Sequence, residues 1–181
     1  MQIRNTEGRY GLFSKLLHWL IAIFIIGLIW LGWYMVDLDY FNRWFNTSRE
    51  WHRSLGMLTL VLALIKIGWQ FYSPVPGPAA HLKHWESNGA NIMHKLLLIA
   101  MIAIPVTGYL ISTSGGETFS FLDWFDIPAL FHLNSSIRDW TIDLHFYLSY
   151  GTGLLLIGHI GAALKHAFID KDDTLKRILW D

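Results

Sequence analysis

Apolar residues in this chain run in long unbroken blocks instead of alternating with polar ones, and four blocks are long enough to cross a bilayer as helices. The first covers residues 16–36, with His18 near its start and no Asp, Glu, Lys or Arg. It is too long and too aromatic for a cleaved signal peptide, and no small-residue cleavage site follows it, so it is expected to be retained. The second, 52–72, is weaker because Arg53 and Lys66 interrupt it. The third, 91–114, carries Pro105 in its middle, which a neighbouring helix can compensate inside a membrane. The fourth, 144–168, has no formally charged residue up to Leu164. The pattern predicts an all-α fold, an integral membrane four-helix bundle forming a single domain over residues 1–181.

The connections differ in character. Residues 37–51 are short and mixed. Residues 73–90 carry Pro74, Pro76 and Pro78 in quick succession and read as an extended linker. Residues 115–143 form the longest connection, aromatic and acidic, and are expected to lie over one end of the bundle. Trp19, Trp33, Trp51, Trp69 and Tyr72 near the span ends suit an interfacial belt, with lining of a quinone cleft as the alternative. Near the C-terminus, Asp173 or Thr174 is placed to cap a short helix over residues 175–180, with Lys176 and Arg177 facing anionic headgroups.

Composition agrees with the pattern. The chain is 53% hydrophobic and only 15% charged, which a soluble domain of this size rarely is. A formal net charge of zero gives no support for nucleic-acid binding. With no cysteine there is no disulfide, no thiolate site, no iron–sulfur cluster and no attachment point for a c-type haem, so any haem must be held non-covalently. Lysine and arginine set the orientation. With the N-terminus inside, ten of the fourteen cations fall on the inner side, which places both termini on the cytoplasmic side. The outer side holds Arg43, Arg49, Arg53 and Arg138 against eight acids, a net charge of −4.

The fourth block also carries the candidate chemistry. His145 and His159 lie fourteen residues apart, which on a helix is ~21 Å along the axis and within about 40° around it. One helix thus presents two imidazoles on one face, one near each side of the hydrocarbon, where ionisable groups are functional candidates. The alternating topology puts His52 at the outer level with His145, and His18 at the inner level with His159. Two levels with histidines on different helices are what bis-imidazole ligation of two b-type haems requires. At the inner level His94 and His166 are also available, and depth alone does not choose among the four. Proton exchange or contact with haem propionates suits whichever two are left over. Gly56, Gly151, Gly153, Gly158 and Gly161 would let a flat porphyrin approach the backbone, although small residues also serve plain helix packing.

These features together resemble the bacterial cytochrome b561 family. The resemblance rests on Lys15-Leu16-Leu17-His18-Trp19, on His52-Arg53-Ser54-Leu55-Gly56, on His145 with His159 and His166 at spacings of fourteen and seven, and on residues 168–175. It implies that His52 and His145 ligate an outer haem iron and His18 and His159 an inner one, leaving His94 and His166 unliganded. The expected function is electron transfer across the inner membrane between a donor or acceptor at one face and the quinone pool. A periplasmic electron or quinone carrier protein is an expected partner, besides membrane lipid. For quinone protonation the first candidate is His166, with His94 and Lys83 near it on the inner side. Superoxide oxidation with quinone as acceptor is one activity known in the family. The −4 outer charge opposes attraction of an anion, unless Arg43, Arg49, Arg53 and Arg138 form a local positive funnel. The competing readings are a haem-bearing anchor subunit for a peripheral oxidoreductase such as a hydrogenase or dehydrogenase, and a histidine-based metal or proton transporter. The transporter is disfavoured because its polar groups would cluster near the midplane.

Overall fold

A computed structural model describes residues 2–77 and 82–179. Four long helices dominate: α1 (Leu12–Val36), α2 (Phe45–Tyr72), α3 (His84–Ser112) and α4 (Ser135–Lys165). A single π-helical turn, His166–Asp170, extends α4, and a short α5 (Lys176–Leu179) follows. Each of the four long helices is long and apolar enough to span a membrane. Their outward faces carry residues such as Ile23, Trp30, Leu64, Ile99, Leu154 and Ile157, all well exposed. Lipid would cover such a surface.

All four helices begin earlier than the apolar blocks suggest. α1 starts at Leu12, about one turn early, while α2 starts at Phe45, α3 at His84 and α4 at Ser135, each adding about two turns. The blocks mark the hydrocarbon-embedded part, whereas the helix runs on into the polar interface. Local capping fixes these starts. Asn134 accepts the backbone N–H of Ile137 through its side chain at 2.9 Å, and the Glu86 carboxylate accepts the backbone N–H of Lys83 at 3.1 Å. The expected linker over 73–90 is therefore shorter, because residues 84–90 are helical. Pro74 and Pro76 lie outside any helix, as expected, and Pro78 lies outside the described residues.

Helices pack in sequence, α1 on α2, α2 on α3 and α3 on α4. The buried core is small: Leu17 and Ile21 from α1, Ala63 from α2 and Met101 from α3, with Ile25, Leu62 and Ile102 against them. α4 contributes only Thr141 and Thr152 to the buried set. It approaches α1 through ring pairs, Trp33 with Tyr150 at 5.9 Å and His18 with His159 at 6.4 Å. Buried hydroxyls are satisfied along their own helices, Thr59 on Leu55 O and Thr141 on Ile137 O.

The connection after α3 does fold over one end of the bundle, with more order than a loop. Strands β1 (Phe119–Phe121) and β2 (Phe125–Ile127) pair antiparallel, with Phe119 opposite Ile127. Leu122 and Asp123 turn the chain at positive φ, 48° and 59°. Ser54 Oγ accepts the Leu122 N–H at 3.2 Å, and buried Phe119 lies 5.3 Å beneath the Arg53 guanidinium, so the hairpin is pinned to α2. This is termed the hairpin end. Both termini gather at the opposite, terminal end, where Trp19 donates to Ile178 O and Arg177 donates to Gly8 O and Gly77 O. Arg177 is thus engaged by the protein itself, not by headgroups as expected. α5 starts one residue later than expected, and Trp180 lies outside the described residues.

Candidate functional site

The predicted histidines collect at two levels. At the hairpin end His52 of α2 faces His145 of α4, with ring centres 6.2 Å apart and planes at 73°. At the terminal end His18 of α1 faces His159 of α4 at 6.4 Å and 58°. A metal–imidazole bond of about 2.0–2.1 Å, plus about 1.1 Å to the ring centre, puts two imidazoles opposed on one metal about 6.3 Å apart. Both pairs match that separation, and each joins two helices across the bundle. These residues can hold two haems by bis-imidazole ligation.

The terminal level holds a third ring. His94 of α3 lies 5.6 Å from His159, closer than an opposed pair on one metal would stand. Lys66 of α2, which interrupts the second apolar block, is within electrostatic reach of His18 and His94. A cation there suits an anionic partner such as a haem carboxylate.

His166 stands apart from these rings. Its Nδ1 lies 2.9 Å from both Asp170 and Asp172, on the π-helical turn that ends with Lys171 in the left-handed region at φ 55°. Lys165 bridges Glu86 at 2.8 Å and Asp170 at 2.6 Å, tying α4 to α3. Glu86, His166 and Asp170 come close enough to hold a cation, but the Lys165 ammonium already bridges the two carboxylates. Partial burial raises the pKa of the Asp172 carboxyl. The Thr174 backbone N–H, donating at 2.8 Å, and the His166 imidazole beside it outweigh that and hold it below its ordinary value. Lys83, Glu86, His166, Asp170, Lys171 and Asp172 line a half-polar cleft of about 290 Å³. Of the three residues expected to serve quinone protonation, His166 and Lys83 share this cleft, whereas His94 sits with the terminal-end histidines.

Several residues that shape the site are not apparent from sequence. His145 Nδ1 lies 2.9 Å from Thr107 Oγ1 and 3.1 Å from Ile104 O. A Cβ on Gly108 would come within 3.2 Å of the His145 ring, and one on Gly32 within 3.4 Å of the His52 ring. These two glycines make room for imidazoles. Gly56, Gly151, Gly153 and Gly161 instead face open space, and Gly158 meets only Met93. The sequence hint was the Pro105-Val106-Thr107-Gly108 run in the third block, a small polar pair beside a proline in an otherwise apolar span.

At the hairpin end, Trp30, Leu31, Tyr34, Trp44, Trp51 and Leu55 contribute to an apolar cleft of about 240 Å³ between α1 and α2. Two belt candidates act as donors within the protein: Trp69 donates to Ser14 Oγ at 2.8 Å, as Trp19 does to Ile178 O. Each of the four arginines of the acidic side has a local partner. Arg43, Arg49 and Arg53 lie over Trp44, Phe45 and Phe119, and Arg138 pairs with Asp139 at 3.5 Å.

Comparison with known proteins places this arrangement. The family described as prokaryotic cytochrome b561 matches residues 9–181. The chain is 40% identical over 179 residues to cytochrome b561 homolog 2 of Escherichia coli (strain K12), covering 99% of this chain and 95% of the relative. It is 29% identical over 180 residues to cytochrome b561 homolog 1 of the same organism, covering 95% and 97%. A more distant similarity, 24% over 175 residues covering 94% and 96%, is to a Yersinia pestis protein named "Probable superoxide oxidase CybB".

Proposed function

The chain belongs to the prokaryotic cytochrome b561 family, as a multi-pass electron-transfer membrane protein that binds haem b, and from that premise we propose that it is a dihaem quinone-linked oxidoreductase. In this reading it carries electrons across the inner membrane, both termini cytoplasmic, between a donor or acceptor at the hairpin face and quinone at the terminal face. The single observation that carries the reading is the matched pair of imidazole separations, 6.2 Å and 6.4 Å, on one shared helix.

Each bound haem supplies a one-electron iron couple. His52 and His145 would hold the iron at the hairpin end, and His18 and His159 the one at the terminal end, a ligand set that would suit electron transfer over oxygen chemistry. Lys66 and Arg53 lie on α2 at the two levels, as cations for haem carboxylates. Arg53 has a buried Nε with no hydrogen-bond partner among the described residues. His94, beside His159, is a further proton-exchange group. In the cleft under α3 and α4, His166 exchanges protons with quinone, its imidazole oriented by Asp170 and Asp172, while Lys83 offers a positive charge at the mouth. The apolar cleft lined by Trp30, Trp44 and Trp51 could bind a quinone ring, but it presents no carboxylate, histidine or lysine to protonate one.

Superoxide as donor has one supporting observation, the distant similarity to the Yersinia pestis protein. Against it stands the −4 outer charge. A periplasmic electron or quinone carrier protein, or a peripheral oxidoreductase anchored here, fits an acidic face better. The test is haem-to-protein stoichiometry with a dithionite-reduced minus oxidised spectrum, followed by addition of a short-chain quinone. Two low-spin b haems per chain, both reoxidised by the quinone, are expected. One haem or none would overturn the dihaem reading; two haems indifferent to quinone would overturn the acceptor.

A further inference from the structure

We propose that Thr107 is a positioning residue for the hairpin-end haem, its hydroxyl oxygen accepting the Nδ1–H of His145 and so fixing the tautomer, orientation and donor strength of that ligand. The inference rests on the dihaem reading above, and it goes beyond the choice of ligands to how one of them is tuned.

The proton positions follow from the acceptors. His145 Nδ1 lies 3.1 Å from Ile104 O, and a carbonyl oxygen can only accept, so Nδ1 carries the hydrogen. The Thr107 hydroxyl has one hydrogen, which goes to its own helix, to Ile104 O at 2.8 Å or Ala103 O at 3.0 Å. Its oxygen is then free to accept from Nδ1 at 2.9 Å. With Nδ1 protonated, Nε2 carries the lone pair and is the nitrogen left for iron. Thr107 is almost fully buried, at 6% exposure, so water does not compete for this contact. Gly108, the next residue, leaves the space into which the ring is set.

The opposing ligand has nothing comparable. His52 Nδ1 is buried without a hydrogen-bond partner among the described residues. Of the two hairpin-end ligands, His145 alone is held from behind by another helix among the described residues. A hydrogen bond that withdraws the Nδ1 proton makes the opposite nitrogen a stronger donor, which favours the oxidised metal and lowers its reduction potential.

The measurement is a redox titration of detergent-purified holoprotein, following both haems, for the wild type, Thr107→Val and Thr107→Ser. Valine keeps the shape and removes the acceptor; serine keeps the acceptor. Ile104 O still accepts in the valine variant, so the effect is partial. The reduction equilibrium of the hairpin-end haem should move about three- to tenfold toward the reduced form, equivalent to about 30–60 mV for a one-electron couple. The terminal-end haem should not move, and serine should restore the wild-type value. Selective loss of the hairpin-end haem in T107V with retention in T107S would equally support the positioning role. No shift, a shift shared by both haems, or a shift that serine does not reverse would overturn it. Absence of a second haem in the wild type would instead overturn the dihaem reading.

Discussion

At the hairpin end two imidazoles meet, and one of them is fastened to α3 through Thr107 and Ile104 and seated over Gly108. At the terminal end three imidazoles converge, with no hydrogen bond to any of them among the described residues, and a charged cleft opens nearby. The first level has one ligand fixed by the protein itself; the second offers alternatives and protons. A locked ligand suits a simple one-electron relay, where the geometry of one couple must be held. A level with a spare imidazole, the Lys66 cation and His166 between two carboxylates suits a reaction that moves protons with electrons.

The contrast can be broken most sharply at the terminal end. Replacing His18 with alanine should remove one haem of the two, whereas replacing His94 should leave both, read as haem per chain. Loss of haem from His94→Ala with retention in His18→Ala would reassign the ligand. Next in size is His166→Asn, which should keep both haems while slowing quinone-linked turnover by about 10²-fold, the lower range for general acid–base groups. Unchanged turnover would remove His166 from the proton path.

Smaller effects separate the glycines. Alanine at Gly108 would press its Cβ against the His145 ring at 3.2 Å, and overpacking of this kind costs about 1–3 kcal/mol. Alanine at Gly56 meets no protein atom, so a loss there would report the porphyrin expected beside it; thermal melts and haem content of the two variants in detergent compare them directly. The smallest expected effect is at Asp172. Its carboxyl is held below the ordinary value in the folded protein, so its contribution is present above the unfolded pKa and lost as pH falls through the folded one. Asp172→Asn should therefore lower the melting temperature slightly at neutral pH and converge with the wild type in acid, flattening the acid limb of the melting curve against pH.

Much of the bundle was legible in the chain because lipid imposes a simple code: a block of apolar residues must be a helix, and its length must match the hydrocarbon. The ends were less legible. Asn134 and Glu86 start helices in polar sequence, where hydropathy carries no signal. The β-hairpin escaped because three-residue strands such as Phe119–Phe121 are too short for a periodicity to register. In the site, the fourteen-residue spacing of His145 and His159 was readable because one helix carries both. Thr107 and Gly108 were not, since their partner is a histidine 38 and 37 positions away on another helix. Which rings oppose each other at the terminal end also depends on helix rotation, which depth along the membrane does not specify.

The most direct test of the account is a redox titration with haem quantitation on His145→Ala and His159→Ala beside the wild type. The account predicts one remaining haem in each variant, with a different midpoint potential in the two, because each substitution empties a different level. Loss of both haems from both variants through a single shared site, or retention of both in either, would contradict the arrangement of two separate bis-imidazole centres on α4.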